Sequence, residues 1–286
     1  MILAIVGPTG VGKTKLSVEL AKYYNGIVIN CDAVQIYKGL DIGSAKVTEK
    51  EKEGIPHLLF DIKRPDEDYT VKDYQTDARN LIQKYKNQNI IFCGGTGLYL
   101  SAALMDYRFY EDEDNKNYDD LSNEELYVLA KKKNPDLKVD SNNRIRLIRA
   151  LNKKNVPVVE PKMLYDNVII IGLTTQRDRL YDIINSRVDT MFTKGLITEV
   201  KALHEKYPNS RVLKSAIGYK EVIDYLAGKF TLEEAKELIK KNSRHYAKRQ
   251  YTWFNNKMNV TWFDVNYDNF NETINNVKKY IDLNIK

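Results

Sequence analysis

Short apolar runs alternate with longer amphipathic segments through the first two-thirds of the chain. The longer segments repeat apolar residues at helical spacing, as in residues 70–86, whereas the short runs are rich in the β-branched residues typical of strands. The runs predicted as strands are residues 2–6, 26–30, 57–62, 89–93 and 168–173. Strands and helices that alternate in this way favour an α/β fold with a parallel sheet.

The pattern changes after Met105. Residues 106–120 are rich in Tyr and Asp without a clear period, and helical patterns dominate the rest of the chain. These predicted helices cover residues 122–133, 142–154, 178–194, 196–206, 216–227 and 231–253. The domain prediction is an α/β core over 1–105, a short helical insertion over 106–155, and a strand with C-terminal helices over 156–286 that complete the core.

Composition narrows the class of protein. The 286 residues are 29% charged and 43% hydrophobic, as in an ordinary globular protein, and no apolar run approaches the ~20 residues that span a bilayer. The start, MILAIVGP, lacks the basic region of a signal peptide. Cys31 and Cys93 are too few for a four-ligand zinc site without histidines, and they favour buried thiols. We therefore expect a cytoplasmic protein that does not contact membranes.

A phosphate-binding motif follows the first predicted strand. Residues 7–14, GPTGVGKT, match G-x-x-x-x-G-K-[ST] between a strand and a helix, the context that this loop requires. Its backbone N–H groups would point at an anion near a helix N-terminus, Lys13 would add a charge, and the Thr14 hydroxyl would bind Mg²⁺. The alternative is an ordinary strand–helix turn. The predicted polyphosphate-binding residues are Gly7, Pro8, Thr9, Gly10, Val11, Gly12, Lys13 and Thr14.

Asp32 follows the second predicted strand, and ligands of open α/β sheets bind outside the carboxyl ends of the strands. Near the phosphates, this carboxylate would hold Mg²⁺ through water or act as a general base, whereas the alternative is a helix N-cap. A second glycine-rich turn, GGTG at residues 94–97, suggests that backbone lies close to a second substrate.

The strongest polar feature is KKNSRHYAKRQYTWFNNK at residues 240–257. Cations, among them Arg244 and Lys248, interleave with aromatic residues and no acid is present. Cations bind phosphates and aromatic rings stack on unpaired bases, so the pattern suits RNA, although a solvated amphipathic helix is the alternative. The cationic segment at residues 144–149 favours the RNA interpretation.

Together these motifs resemble the tRNA dimethylallyltransferase family, bacterial type. The specific parts are DAVQIYKGLDIGSAK at 32–46 and AKRQYTWF at 247–254. The other matching blocks, in family order, lie at residues 7–14, 56–74, 94–100, 144–151, 187–200 and 216–222. The resemblance implies a P-loop NTPase-like parallel α/β core with a short helical insertion domain and a helical C-terminal half.

The resemblance implies transfer of a dimethylallyl group from dimethylallyl diphosphate to N6 of the adenine at tRNA position 37, next to the anticodon, with diphosphate released. It implies that Asp32 is the general base, that Thr14 lies on the side of Mg²⁺, and that Arg187 contacts the leaving group. With the basic helix included, the expected tRNA contacts are Asp32, Ala33, Val34, Gln35, Thr96, Ile145, Arg146, Arg149, Ser215, Lys220, Arg244 and Lys248.

The chain departs from the family pattern in two places. Residues 139–143 lack the usual His-Pro, and no family arginine is evident in the short acidic middle region, whose nearest aligned positions are 116–118. The leading expectation is a monomeric transferase. A nucleoside or nucleotide kinase would share the core and Asp32, and a non-catalytic RNA-binding module is a third possibility that the intact loop disfavours.

Overall fold

The computed structural model describes residues 1–109, 117–137, 139–152 and 161–285. The chain separates into two compact units, one formed by Met1–Met105 with Met163–Lys286 and the other by Asp106–Lys162. The predicted end of the insertion at residue 155, most of the acidic stretch and aligned position 116 lie outside the described residues. Within the described ranges, no helix combines the length and apolar character needed to cross a membrane.

A parallel sheet forms the centre of the larger unit, as predicted. In the described residues its strand order is β3-β2-β4-β1-β5-β6. The strands are β1 (Ile2–Val6), β2 (Gly26–Asn30), β3 (His57–Leu58), β4 (Asn89–Cys93), β5 (Val168–Thr174) and β6 (Thr261–Asp264). All paired strands run parallel, so their carboxyl ends, and the loops that follow them, lie along one edge of the sheet.

Both faces of the sheet are covered by apolar side chains. Ile2, Ala4 and Val6 of β1 join the core on one face, whereas Leu3 and Ile5 join the core on the other. Every residue of β1 and β2 is buried. A strand that is buried on both faces has a continuous apolar sequence, which is why these two strands could be located to the residue.

Both units contain helices. In the described residues these are α1 (Lys13–Tyr23), α2 (Glu49–Lys52), α3 (Val71–Lys84), α4 (Gly97–Leu104), α5 (Asn123–Lys133), α6 (Arg144–Asn152), α7 (Arg177–Thr193), α8 (Leu196–Lys206), α9 (Arg211–Ser215), α10 (Tyr219–Leu226), α11 (Leu232–Lys257) and α12 (Phe270–Asn284). Those that begin at a capping box include α3, α5 and α11, where Thr70, Ser122 and Thr231 accept a hydrogen bond from the backbone N–H three residues on.

Local backbone geometry accounts for two differences from the predicted elements. Strand β3 ends at Leu58, not at residue 62, because Leu59 and Asp61 have φ angles of 61° and 54°, which no strand accommodates. The helix predicted over 216–227 begins only at Tyr219, because Gly218 has a φ of 93°. Strand β6 and helix α12 were not predicted.

The smaller unit is a helix pair with a core of its own. Leu126 and Ala130 of α5 pack with Leu147 of α6. The guanidinium of Arg144 donates hydrogen bonds of 2.6 Å to the carbonyl oxygens of Tyr118 and Leu121, so this arginine joins α6 to the chain before α5. Its neighbours that were predicted to contact tRNA, Ile145, Arg146 and Arg149, are exposed.

Trp253 offers a test of the packing between α11 and the sheet edge. Its ring lies against Gly97 at the start of α4 and meets Phe254 edge-on at 5.1 Å. Trp253→Ala should lower the free energy of unfolding by about 2 kcal/mol, because the contacts of a large, partly buried aromatic ring are lost. Urea denaturation measures this, with Leu283→Ala, whose side chain is 76% exposed, as the control. Equal stability of the two variants would contradict this packing role.

Candidate functional site

The phosphate-binding loop occupies the turn between β1 and α1. Gly7 has a φ of 132°, and a Cβ on it would collide with the backbone carbonyl of Leu173 in β5. Gly12, with a φ of 87°, precedes the first residue of α1. Both positions therefore require glycine, and the loop wraps the positive N-terminal end of a helix, as a phosphate site does.

Lys13 folds back over this loop. Its Nζ donates hydrogen bonds to the carbonyl oxygens of Gly7 at 3.0 Å and Pro8 at 2.7 Å. Burial, together with the positive charge of Arg187, lowers the pKa of Lys13 to about 8, although Cys93 and Asp32 oppose the shift. A partly buried ammonium whose hydrogen-bond partners among the described residues are carbonyl oxygens is suited to receive an anion.

Arg187 of α7 reaches the same loop from a distant part of the sequence. Its Nη1 donates a hydrogen bond of 2.9 Å to Thr9 Oγ1. Burial lowers the pKa of Arg187, while the negative charges of Asp32 and Glu51 counter this. The arginine also lines a groove of about 600 Å³ along α7. The structure thus brings together the loop, Lys13 and Arg187.

Asp32 holds a fixed position just past β2. Its Oδ1 accepts hydrogen bonds from the N–H groups of Val34 at 2.9 Å and Gln35 at 3.4 Å. Asn30, which is fully buried, accepts from the Asp32 N–H and donates to the Asp32 carbonyl. Among the described residues, none donates a hydrogen bond to Oδ2. The carboxylate therefore caps a turn with one oxygen and keeps the other for a ligand or proton.

Thr96 connects the second glycine-rich turn to Asp32. Its Oγ1 accepts a hydrogen bond of 3.0 Å from the N–H of Ala33, and its own N–H donates to the carbonyl of Cys31 at 3.0 Å. These bonds hold the residues on either side of Asp32 against the turn that follows β4. Thr96 therefore lies beside the candidate base.

Gln250 of α11 is a site residue that sequence reasoning missed. Its Oε1 accepts from the N–H of Thr9 at 3.0 Å and its Nε2 donates to the carbonyl of Gly95 at 3.1 Å, while only 4% of the residue is exposed. The one feature of the sequence that could have indicated this residue is its uncharged amide within a strongly cationic helix.

Tyr246 lies one turn before Gln250 and was also missed. Burial, with the negative charge of Asp32, raises the pKa of Tyr246 to about 12, whereas Thr96 and Gln250 act in the opposite direction. With Trp253, the spacing 246, 250, 253 puts three side chains on one face of a helix, and that face is directed to the two glycine-rich loops.

A third missed residue is Glu199 of α8. Its carboxylate accepts hydrogen bonds from the N–H groups of Asp41, Ile42 and Gly43 at 2.7–3.2 Å and from the Tyr219 hydroxyl at 2.7 Å. It thereby anchors the loop that follows the Asp32 turn. Gln35 contributes to the same loop by donating to the carbonyl of Ser44 at 3.0 Å.

The predicted tRNA contacts of the larger unit lie in different environments. Ala33, Val34 and Gln35 are partly exposed beside Asp32, and Lys248 is exposed. Arg244 donates a 2.6 Å hydrogen bond to Asn185, so part of its guanidinium already has a protein partner. Two others are exposed or partly so and have local partners, Ser215 through the Arg211 carbonyl and Lys220 through Glu221.

The candidate magnesium residue, Thr14, lies in the first turn of α1. In the described ranges its side chain makes no hydrogen bond, and no group of three or more His, Cys, Asp or Glu side chains could hold a metal ion by itself. Mg²⁺ usually keeps several waters and binds through few protein ligands plus substrate phosphates. The Thr14 hydroxyl at the phosphate loop suits such an ion as one of its few protein ligands.

Comparison with known proteins gives one consistent family. A family model described as IPP transferase matches residues 35–257. The chain is 44% identical over 298 residues to a tRNA dimethylallyltransferase of Anoxybacillus flavithermus, covering 98% of this chain and 96% of the relative. The corresponding Bacillus subtilis protein is 42% identical over 289 residues, covering 92% and 90%.

Solved structures that resemble this chain belong to the same family. A tRNA isopentenylpyrophosphate transferase from Bacillus halodurans has a TM-score of 0.76 and 42% identity, covering 99% of this chain and 97% of that one. A eukaryotic dimethylallyltransferase, described as acting on tRNA, has a TM-score of 0.73 and 28% identity, covering 91% and 73%. Both similarities extend across the sheet and the helices that follow it.

The lowered pKa of Lys13 leads to a prediction on anion binding. Above pH 8 the free site loses the ammonium charge, so affinity for inorganic diphosphate should weaken about tenfold between pH 7 and pH 9. Isothermal titration calorimetry measures this. Lys13→Met should bind weakly and lack that pH dependence, which separates the lysine from ionisation of diphosphate itself. The same pH dependence in both proteins would contradict the prediction.

Proposed function

Because the chain belongs to the IPP transferase family, whose reaction is transfer of a dimethylallyl group to a tRNA adenine, we propose that its donor is dimethylallyl diphosphate and that residues 7–14 bind the diphosphate. The acceptor is N6 of the adenine at position 37, next to the anticodon. The observation that carries this assignment is the position of Asp32, whose charge acts on both Lys13 and Arg187 at the phosphate loop.

The chemistry requires both a base and a charged leaving-group site. The lone pair of an adenine N6 is delocalised into the ring, which makes the amine a poor nucleophile. In the transfer, the bond from N6 to the allylic carbon forms, the carbon–oxygen bond to diphosphate breaks, and Asp32 takes the N6 proton. Oδ2 is the oxygen suited to this step, since Oδ1 accepts two backbone hydrogen bonds.

Positive groups at the phosphate-binding loop stabilise the diphosphate that leaves. Lys13 exchanges its bonds to the carbonyls of Gly7 and Pro8 for bonds to the phosphate oxygens, and Arg187 adds a second cation. Charge that develops in a site poor in water is stabilised strongly by such fixed donors. Thr14 would hold a Mg²⁺ ion that neutralises part of the diphosphate charge.

The acceptor adenine has to leave the base stack of the RNA to reach Asp32. An adenine in the anticodon arm can react only when it is extruded, and the protein must bind the RNA on both sides of it. The partly exposed turn at Ala33, Val34 and Gln35 borders Asp32, and Thr96 adjoins it. We assign base binding to this turn and phosphate binding to the cations of α11.

A kinase is the less favoured alternative, since the comparisons give transferases over the whole chain. Incubation with labelled dimethylallyl diphosphate, Mg²⁺ and unmodified tRNA, followed by digestion, should yield prenylated adenosine. Consumption of ATP with no prenylated product would instead support the kinase. We also propose that the chain acts as a monomer and in the cytoplasm, which size-exclusion chromatography with light scattering and cell fractionation would test.

Asp32→Asn should lower the turnover rate by about 10²–10⁴-fold and leave tRNA affinity within a few-fold. The amide oxygen still accepts hydrogen bonds from Val34 and Gln35, so the turn persists while the base is lost. Single-turnover prenylation and filter binding measure the two effects. Asp73→Asn, which changes a carboxylate that caps α3, is the matched control. Near-normal turnover of Asp32→Asn would exclude Asp32 as the base.

Neutralising three cations of α11, Lys241, Arg244 and Lys248, should weaken tRNA binding and reduce its dependence on salt. Lys241→Gln and Lys248→Gln remove exposed charges, and each should lower the slope of log affinity against log salt by about one. Arg244→Gln should do the same with the guanidinium donors not bonded to Asn185.

Lys236→Gln is the control for these variants, because Lys236 lies on the same helix but pairs with Glu233. Fluorescence anisotropy over a range of salt concentrations gives the slopes. If all three slopes match the wild type, α11 is only a solvated face, and the RNA contacts of Arg146 and Arg149 would have to supply the electrostatic binding.

A further inference from the structure

We infer that Gln250 is a positioning residue, whose amide fixes the distance between the diphosphate-binding loop and the loop that carries the base. The inference rests on the transfer reaction proposed above. Gln250 does not act on the reacting atoms. It acts through Thr9 on one side and Gly95 on the other, which it joins with hydrogen bonds of 3.0 and 3.1 Å.

The two hydrogen bonds of Gln250 belong to a series of contacts that connects the diphosphate-binding loop with the Asp32 turn. On the donor side, Thr9 also accepts a hydrogen bond of 2.9 Å from Arg187. On the acceptor side, Gly95 is followed by Thr96, whose hydroxyl holds the N–H of Ala33 at 3.0 Å. Ala33 comes directly after Asp32 in the sequence. Gln250 is therefore the link between the cation at the leaving group and the carboxylate at the amine.

The orientation of the Gln250 amide is fixed by its partners. Its oxygen faces an N–H and its nitrogen faces a carbonyl, so rotating the amide by half a turn would break both hydrogen bonds. A Cβ on Gly95 would collide with Gln250 Nε2, so the turn and the amide fit only because residue 95 is glycine. With 4% of the residue exposed, water cannot replace either bond.

The location of Gln250 in a long helix makes the spacing rigid. Helix α11 packs its buried Ala247 and Phe254 into the larger unit on either side of Gln250, and Trp253 of the same face lies against Gly97. A group held by a packed helix sets a distance more accurately than contacts between two loops. In-line transfer depends on that distance, because small displacements of reacting groups lower the rate steeply.

The test separates positioning from simple stabilisation. Gln250→Met keeps the shape of the side chain without hydrogen-bonding groups, and Gln250→Glu keeps the acceptor for Thr9 but loses the donor to Gly95. We expect kcat to fall about 10- to 100-fold in both variants. The KM values for dimethylallyl diphosphate and for tRNA should stay within about threefold, because Gln250 touches neither substrate.

Asn242→Leu is the matched control. Asn242 is an amide of the same helix, and it donates a 2.7 Å hydrogen bond to Glu221 instead of joining the loops. We expect it to lower the melting temperature as a lost buried hydrogen bond does, with kcat unchanged at temperatures where the protein is folded. Circular dichroism establishes that each variant is folded at the assay temperature.

Wild-type kcat in either folded Gln250 variant would overturn the inference, as would a rise in KM with no change in kcat. If Gln250→Met does not fold, Gln250→Glu, which is closer in shape and polarity, decides alone. Absence of prenylation by the wild-type protein would instead contradict the proposed function, and the inference with it. If the wild type is active and the Gln250 variants are equally active, the inference is contradicted but the proposed function is not.

Discussion

Parallel pairing of three adjacent strands is the constraint on which the site depends. Strand β4 lies between β1 and β2, so the loops that follow these strands are neighbours at one edge. Hydrogen bonds continue past the strand ends, from the N–H of Gly94 to the carbonyl of Ile5 and from the N–H of Cys31 to the carbonyl of Cys93. The phosphate loop, the GGTG turn and Asp32 are therefore held side by side before any helix of the second half contributes.

Helices α7, α8 and α11 supply further side chains that hold the loops of the site in place. Arg187, Glu199 and Gln250 come from these three helices, and each bonds to a loop more than 150 residues away. Two cations of the site, Lys13 and Arg187, are partly buried and close enough to repel each other. Like charges in a partly desolvated site destabilise the free protein, and a bound polyanion would remove that repulsion. The site is thus complementary to a polyanion at some cost to stability.

The sequence predicted those parts of the fold that local pattern determines. Strands β1, β2 and β4 were located to the residue because burial on both faces leaves an uninterrupted apolar run. Strand β6, TWFD, is only half-buried and follows a long helix, so it has no such pattern. The loop and Asp32 could be predicted because strand ends in a parallel sheet share an edge.

Residues whose role depends on a distant partner could not be predicted in this way. No local feature of Gln250 indicates that it meets Thr9, 241 residues away. Arg144 shows the reverse: its cationic neighbours suggested a surface for RNA, but its guanidinium bonds to backbone carbonyls within the smaller unit. Spacing along a helix shows which face a residue occupies, whereas the fold decides what that face meets.

Asp32 is not the N-cap of a helix, the alternative that its sequence position left open, because a turn and no α-helix follows it in the described residues. It caps that turn by accepting two backbone hydrogen bonds through Oδ1, and these bonds prevent free rotation of the carboxylate. As a base it needs an oxygen that points at a substrate amine and does not have to reorient during the reaction. The cap supplies that orientation, because fixing one oxygen fixes the other. The structural role of Asp32 therefore supports the catalytic role that we propose for it, since a base held in place before the substrate arrives loses less entropy in the transition state.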